Sequence, residues 1–184
     1  MKKKYLLIFI CSIIFITIIC IYYFINKNNK GISEILPEQE ISDEQYRKTM
    51  VTLYYQNKET KSLMPEIRLI DVKSLINEPY STLVNLLMEE PKNKNLQSVI
   101  PQGTKVNKVE LKSDILYLDL SKEFIENHSG GTDEEKNTIY SIVNTLTELT
   151  EVNGIKILID NEENKSFLDK NINFNEAFLR IKNN

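Results

Sequence analysis

The stretch from residue 132 to residue 160 constrains the fold of this chain most, because a helical pattern is followed directly by a strand pattern. Its apolar residues recur at offsets that place them on one face of a helix of about four turns; they are Ile139, Ile142, Val143, Leu146 and Leu149. Asn153-Gly154 is predicted to end the helix. Alternating isoleucines at 155, 157 and 159 then indicate a buried or half-buried strand. A helix packed on a sheet is therefore the predicted core unit.

The start of this helix is also marked in the sequence. Thr132 is predicted to cap the helix, and Glu135 follows three residues later, which is the spacing of a capping box. Asp133 and Glu134 place negative charge in the first turn, where the helix dipole favours it. The apolar stripe behind these residues is interpreted as core.

The beginning of the chain has a different character. Residues 5–25 contain no charged side chain and are long enough to span a hydrocarbon core of ~30 Å. Three lysines precede this run and two follow it closely, so the positive-inside bias predicts a cytoplasmic N-terminus. We predict a single-pass protein of the cell membrane, with a transmembrane anchor over residues 1–26 and an extracytoplasmic C-terminal domain. Whether the anchor is cleaved or lipidated is left open, although the small residues expected before either cleavage site are absent.

The two cysteines and the charges follow the same division. Cys11 and Cys20 both lie in the apolar run, about half a helical turn out of phase, so no disulfide is expected between them. From residue 31 onward there are 18 basic and 26 acidic residues, a net charge of −8. A nucleic-acid partner is therefore not predicted, because binding to phosphates needs a clustered basic surface.

The remaining chain is predicted to hold a linker and one domain. Residues 27–48 are polar and without periodicity, which indicates a flexible linker, and residues 49–182 are the predicted domain. Two strand patterns joined by a turn, a helix between two prolines, a hairpin, the central helix and its strand follow in order. Their predicted ranges are 51–55, 67–70, 79–90, 105–111, 115–120, 132–152 and 155–160. The last residues are predicted as either an edge strand or a short helix. This order predicts an α+β fold: a mixed, mostly antiparallel sheet with two main helices on one face, preceded by the single transmembrane helix.

The sequence offers no assembled reaction centre. His128, the only histidine, has no cysteine or second histidine near it, so no metal site or catalytic triad is predicted. The pair Gly130-Gly131 is interpreted as a hinge rather than a phosphate loop, because the phosphate-loop pattern is absent. Glu66 and Arg68 are interpreted as an exposed ion pair on one strand face.

Scattered carboxylates give no shared site either. Asp114, Asp133 and Glu134 show no calcium-loop spacing, and Asp119 is expected to face solvent beside Tyr117. No catalytic, cofactor-binding or metal-binding residues are predicted, and the protein is not predicted to be an enzyme.

Taken together, these segments resemble the GerMN domain family of sporulation and spore germination proteins. Each piece is weak, but their order and spacing are specific. The residues that carry the resemblance are 51–55, 63–68, Leu83, Leu86 and Leu87 before Pro91, 98–104, 118–121 with Phe124, the pair Gly130-Gly131, 142–147, 155–160 and Phe178 with Arg180.

The resemblance implies a fold similar to ring-building motifs and a non-enzymatic module of envelope complexes, with no catalytic residues to carry over. It implies self-association or binding to envelope and sporulation proteins as the function. Contact with the membrane through the N-terminal helix is predicted separately, from the apolar run at 5–25. The alternative is a module that binds cell-wall glycan or a small ligand, for which Tyr54, Tyr55 and Tyr117 are candidate stacking residues.

Overall fold

A computed structural model of the protein describes residues 16–23 and 47–180, which belong to two separate units of the chain. In the first unit, residues 16–23 are helical and exposed. Most of the predicted anchor and nearly all of the predicted linker at 27–48 lie outside the described residues. Within the described ranges, no helix combines the length and the hydropathy needed to cross a membrane.

In the second unit, the first sheet is built on a long hairpin. Strand β1 (Lys48–Asn57) pairs antiparallel with β2 (Leu63–Asp71), and the short strand β3 (Leu96–Gln97) adds to the other edge of β1, giving the order β2-β1-β3. Alternation along β1 buries Val51, Leu53 and Tyr55. The predicted first hairpin is therefore confirmed, with longer strands than the pattern indicated.

Two helices follow β2. Helix α1 (Val72–Asn77) begins at Asp71, whose carboxylate accepts a hydrogen bond from the backbone N–H of Lys73. Helix α2 (Pro79–Met88) has its proline at the first helical position, where the missing N–H costs nothing. Leu83, Val84 and Leu87 form its buried side. The helix predicted between the two prolines is confirmed, whereas α1 was not predicted.

The second sheet has the order β4-β5-β6-β7. Its strands are β4 (Val106–Lys112), β5 (Ile115–Leu120), β6 (Gly154–Ile159) and β7 (Phe178–Leu179). The β4–β5 hairpin was predicted, and the last segment proves to be a two-residue edge strand antiparallel to β6. Strands β5 and β6 are parallel. The short helix α3 (Glu123–Glu126) and the long helix α4 (Thr132–Leu146) form the crossover connection that such a pair needs.

Helix α4 buries the predicted stripe but does not start as predicted. Ile139, Ile142, Val143 and Leu146 are fully buried, and Leu149 lies just beyond the last residue of the helix. The N-cap is Gly131, without a side-chain cap, so the predicted capping box is wrong. The carboxylate of Glu135 is fully buried and accepts a hydrogen bond from the backbone N–H of Ile172 at 3.0 Å instead.

The α+β prediction is confirmed, but the strands form two sheets in the described part of the chain rather than one. The reason lies on the edge of β1 that β3 leaves free. There the hydroxyl of Ser141 donates to the carbonyl of Tyr54 at 2.6 Å, and the N–H of Tyr54 donates to Thr145 Oγ1 at 3.0 Å. These α4 side chains occupy the positions at which another strand would pair. Helices α2 and α4 contact each other, and each contacts both sheets.

Candidate interaction surface

A buried polar cluster lies on the inner face of β2. Arg68 donates from Nε to Glu66 Oε1 at 2.9 Å, from Nη1 to Glu89 Oε2 at 3.0 Å and from Nη2 to the carbonyl of Glu90 at 2.7 Å. The side chains of Arg68 and Glu66 are 5% and 8% exposed, so the prediction of a solvated pair is wrong. The guanidinium also lies 5.3 Å from the ring centroid of Tyr55. The cluster fastens β2 to the loop that follows α2.

The same loop supplies further donors to Glu66. Burial opposes ionisation of this carboxyl, but backbone hydrogen bonds from Asn93 at 2.9 Å and Lys92 at 3.2 Å and the charge of Arg68 outweigh it, so the pKa of Glu66 is lowered. A carboxylate with these partners is held ionised. Its oxygens are engaged within the fold, which suits a structural role rather than proton transfer.

His128 lies at the edge of a cleft of about 260 Å³ between β3, the loop before α4 and α4 itself. Its Nδ1 accepts a hydrogen bond from the backbone N–H of Gly130 at 3.0 Å, so the proton of the neutral ring is on Nε2 and is donated to Thr138 Oγ1, also at 3.0 Å. Thr138 in turn donates to the carbonyl of Val99 at 3.0 Å. Burial lowers the pKa of His128, against the raising effect of nearby carboxylates. The neutral ring of His128 therefore links the loop before α4 to Thr138 and, through Thr138, to the loop at Val99.

The two glycines after His128 are required by the backbone. Gly130 and Gly131 have φ angles of 80° and 93°, which favour glycine. A Cβ atom on Gly130 would lie 2.6 Å from Asp169 Oδ2, and that same oxygen accepts a hydrogen bond from the N–H of Gly131 at 2.9 Å. The pair forms a tight turn into α4, and its interpretation as a hinge stays a prediction.

The acidic residues considered from the sequence are dispersed. Asp133 and Glu134 are exposed in the first turn of α4, and Asp114 accepts from the side-chain amide of Asn153 at 3.0 Å. Asp119 is 7% exposed and accepts from the backbone N–H of Asn161 at 2.8 Å, so its predicted solvent-facing position is wrong. Within residues 16–23 and 47–180, no group of three or more His, Cys, Asp or Glu side chains is placed to hold a metal ion.

The three tyrosines proposed for stacking all contact other groups of the fold. Tyr55 is fully buried and donates from its hydroxyl to the carbonyl of Leu86 at 2.6 Å. The Tyr54 hydroxyl donates to Glu148 at 2.9 Å and accepts from Arg180 at 3.0 Å. Tyr117 is half-buried, with the ammonium of Lys112 lying 4.3 Å from its ring centroid.

What the folded unit leaves open is an apolar patch on the outer side of the β1–β2 hairpin, which we name the hairpin face. It consists of Met50, Ile67 and Leu69, which are 70%, 64% and 61% exposed. Met50 lies directly opposite Leu69 across the two strands, so the three side chains are neighbours on one side of the sheet. Apolar residues that cluster in this way mark interaction sites more often than isolated ones do.

The hairpin face was missed from the sequence because β2 reverses the usual pattern. Alternation of Glu66 and Arg68 with Ile67 and Leu69 predicts that the charged residues face solvent. The register opposes Val51 to Arg68 and Leu53 to Glu66, which puts the charged pair on the buried side. The only sign of this orientation in the sequence is that the inward-facing residues of β1 are already apolar, so β2 does not have to bury its own apolar residues.

Comparisons with known proteins identify the fold. The family model described as Germane, sporulation and spore germination, matches residues 52–165. The tandem GerMN domains of the sporulation protein GerM from Bacillus subtilis superpose with a TM-score of 0.62 at 19% identity, covering 78% of this chain and 50% of that one. For the first GerMN domain of that protein the TM-score is 0.59 at 20% identity, with 72% and 98% covered.

These matches confirm the resemblance stated from the sequence. The chain spans half the length of the tandem structure and nearly all of the single domain. No curated protein matches the chain significantly.

Proposed function

We propose that this chain, which belongs to the Germane family of sporulation and spore germination proteins, is a membrane-anchored extracytoplasmic module that assembles envelope complexes without catalysing a reaction. The observation that carries the proposal is the contrast between its polar and apolar surfaces. Each polar cluster described above is engaged in hydrogen bonds within the fold, whereas the hairpin face exposes three large apolar side chains side by side.

The polar inventory supports the same conclusion. In the described residues, every buried side-chain nitrogen or oxygen has a hydrogen-bond partner. Catalytic groups usually lie in a cleft, have perturbed pKa values and keep hydrogen-bonding atoms free to contact a substrate. His128 and Tyr80 have perturbed pKa values beside a cleft or groove. Both ring nitrogens of His128 already have partners, and the Tyr80 hydroxyl donates to Glu151 at 3.4 Å. An assembly module needs only a stable frame and an accessible surface.

Anchoring is the second part of the proposal. The uncharged run at 5–25 and the lysines before it support insertion with the N-terminus in the cytoplasm. In cells, the chain is expected to stay with membranes after alkaline carbonate extraction. The domain is expected to be degraded by protease added to intact protoplasts. Release into the carbonate supernatant, or protection until lysis, would contradict the anchor or its orientation.

A role in sporulation or germination can be tested by truncation. A chromosomal version that ends after residue 46 keeps the apolar run but lacks the folded unit. We expect fewer heat-resistant spores, or slower germination of those formed, with unchanged vegetative growth. The matched control carries the whole chain with Leu168→Ser, an exposed residue outside the hairpin face. Normal spore counts and normal germination in the truncated strain would contradict the proposal.

Binding of cell-wall glycan is the second candidate, and one groove favours it. A depression of about 520 Å³ between α2 and β4 is lined by a tyrosine and three asparagines, the residue types that hydrogen-bond and stack on sugars; they are Tyr80, Asn77, Asn85 and Asn107. The whole chain in detergent would be sedimented with purified peptidoglycan. Co-sedimentation that Tyr80→Ala abolishes and Tyr117→Ala leaves intact would support this candidate.

A further inference from the structure

Strand β2 is an edge strand along its whole length. In the order β2-β1-β3, one side of β2 pairs with β1, and its other side pairs with no strand among the described residues. It has nine residues, Leu63–Asp71, and its pairing with β1 shows no bulge. Edge strands of this length usually carry charges or bulges that prevent pairing with another chain.

The direction of the backbone groups follows from Tyr54. Its N–H and C=O are bonded to Thr145 and Ser141 of α4, so they point away from β2. Pro65 lies directly opposite Tyr54. In an antiparallel pair, when the N–H and C=O of one residue point away from the partner strand, those of the residue directly opposite point away from their partner too. Proline is tolerated on an edge strand at this kind of position.

By alternation, Ile67 and Leu69 direct their N–H and C=O groups to the same open edge as Pro65. Their side chains belong to the hairpin face and are more than half exposed. The neighbouring charged residues, Glu66 and Arg68, are buried on the inner side. The open edge therefore presents unpaired backbone groups beside an apolar row, without a charge at its centre.

We infer that this edge pairs with the β2 edge of a second copy of the chain, in an antiparallel arrangement with a two-fold axis at Ile67. The inference rests on the proposed function as an assembly module and names its partner. Ile67 is the middle residue of β2, so this register overlaps the strand from end to end. Both partners then use the same surface, as in other two-fold interfaces.

The register also matches the chemistry of the strand to itself. Ile67 exchanges two backbone hydrogen bonds with its own copy. Leu69 faces Pro65 of the other copy, and its N–H donates to the carbonyl of that proline. Because proline has no N–H to donate in return, the carbonyl of Leu69 is left to water, once on each side of the axis. Apolar side chains meet apolar side chains. At each end, Asp71 of one copy lies opposite Leu63 of the other.

A cysteine cross-link tests the two-fold axis directly. The whole chain would carry Cys11→Ser and Cys20→Ser, which removes its native thiols, and would be oxidised in membranes. Hydrogen-bonded antiparallel pairs have Cα atoms about 5.5 Å apart, within reach of a disulfide. Ile67→Cys is expected to form a covalent dimer. Leu69→Cys alone is not, because the two copies of residue 69 lie about 13 Å apart along the strand.

Three further variants separate specific pairing from non-specific association. Leu168→Cys is a control for random collision, since Leu168 is 66% exposed and lies outside β2. Ile67→Lys puts a charge at the axis and is expected to abolish self-association of the native-cysteine chain, measured by sedimentation in detergent. Ile76→Lys, at a residue that is 72% exposed, is the matched substitution off the edge and is expected to leave association unchanged.

The outcomes distinguish this inference from the proposed function. If the chain self-associates but Ile67→Cys cross-links no better than Leu168→Cys, the β2 edge is not the contact and the assembly function stands. If the chain remains monomeric at all concentrations in membranes, homotypic pairing is overturned. Binding of the monomer to vesicles that Ile67→Lys weakens would assign the hairpin face to lipid instead, and would overturn the inference too.

Discussion

Arg68 and Glu66 are two residues apart on the same side of β2 and are joined by a hydrogen bond of 2.9 Å, with both side chains almost completely buried. The position is unusual for a charged pair in a hairpin, because the apolar residues of the same strand are the ones that face outward. The pair is compensated on the inside by backbone groups of the loop between α2 and β3. It therefore sets which face of β2 is buried, and through that it exposes the hairpin face.

Replacing Arg68 should show how much depends on this pair. Arg68→Met removes the guanidinium but keeps an unbranched side chain, and it leaves Glu66 buried without its cation. Loss of one partner of a buried pair costs about 3–5 kcal/mol. We expect that loss in the free energy of unfolding, measured with urea on the detergent-purified chain. Lys108→Met removes one partner of the exposed pair with Glu110 and should leave the midpoint unchanged. Equal stability of the two variants would contradict the assigned role of Arg68.

Much of the fold follows from local patterns. The α4 stripe, the β4–β5 hairpin and the helix between prolines are each encoded by neighbouring residues, and they were predicted. What failed depended on distant partners: Glu135 bonds to the backbone of Ile172, and Glu66 to that of Asn93. No local window contains these donors, so a capping box and an exposed ion pair were the natural predictions. The orientation of β2, and with it the hairpin face, was not predicted for the same reason.

His128 should make stability depend on pH in a defined window. Burial lowers its pKa below the ordinary value of ~6.5, so the unfolded chain binds a proton that the folded chain does not. The stabilising contribution is complete above pH ~6.5 and is lost as the pH falls from there toward the lowered pKa. We expect the free energy of unfolding to decline from pH 7 to pH 5, and His128→Gln to remove that part of the slope.

The lowered pKa of Glu66 acts in a separate range. Its contribution to the free energy of unfolding is present above the unfolded pKa of ~4.3 and is lost as the pH falls through the folded pKa. Above pH 5, the pH dependence of stability is therefore assigned to His128 and not to Glu66. The measurement is urea unfolding at several pH values for the wild-type chain and for His128→Gln. Identical slopes above pH 5 would show that the ring of His128 does not change protonation on unfolding.

The turn before α4 gives a prediction about backbone conformation. Gly130→Ala forces a side chain onto a residue with φ of 80° and brings its Cβ atom to 2.6 Å from Asp169 Oδ2. A left-handed conformation costs a non-glycine residue about 1–2 kcal/mol, and displacement of Asp169 also weakens its hydrogen bond to Gly131. We expect a loss of at least that size in urea unfolding. Ser129→Ala, one residue earlier and exposed, is the control and should behave like the wild type.

The contact between α4 and the edge of β1 explains why residues 47–180 form two sheets rather than one, and Thr145 tests this explanation. Thr145→Val keeps the shape of a fully buried side chain but removes the acceptor for the N–H of Tyr54. An unsatisfied buried donor costs about 1–3 kcal/mol. We expect that loss of stability, together with faster hydrogen exchange at the amide of Tyr54.

Thr147→Val is the matched control for this substitution. The Thr147 hydroxyl donates to the carbonyl of Val143, which the backbone N–H of Thr147 already reaches, so its removal leaves no group unpaired. Its stability and the exchange of Tyr54 should remain close to the wild-type values. If Thr145→Val leaves the Tyr54 amide protected, then α4 does not satisfy this edge through its hydroxyl, and the separation of the sheets needs another cause.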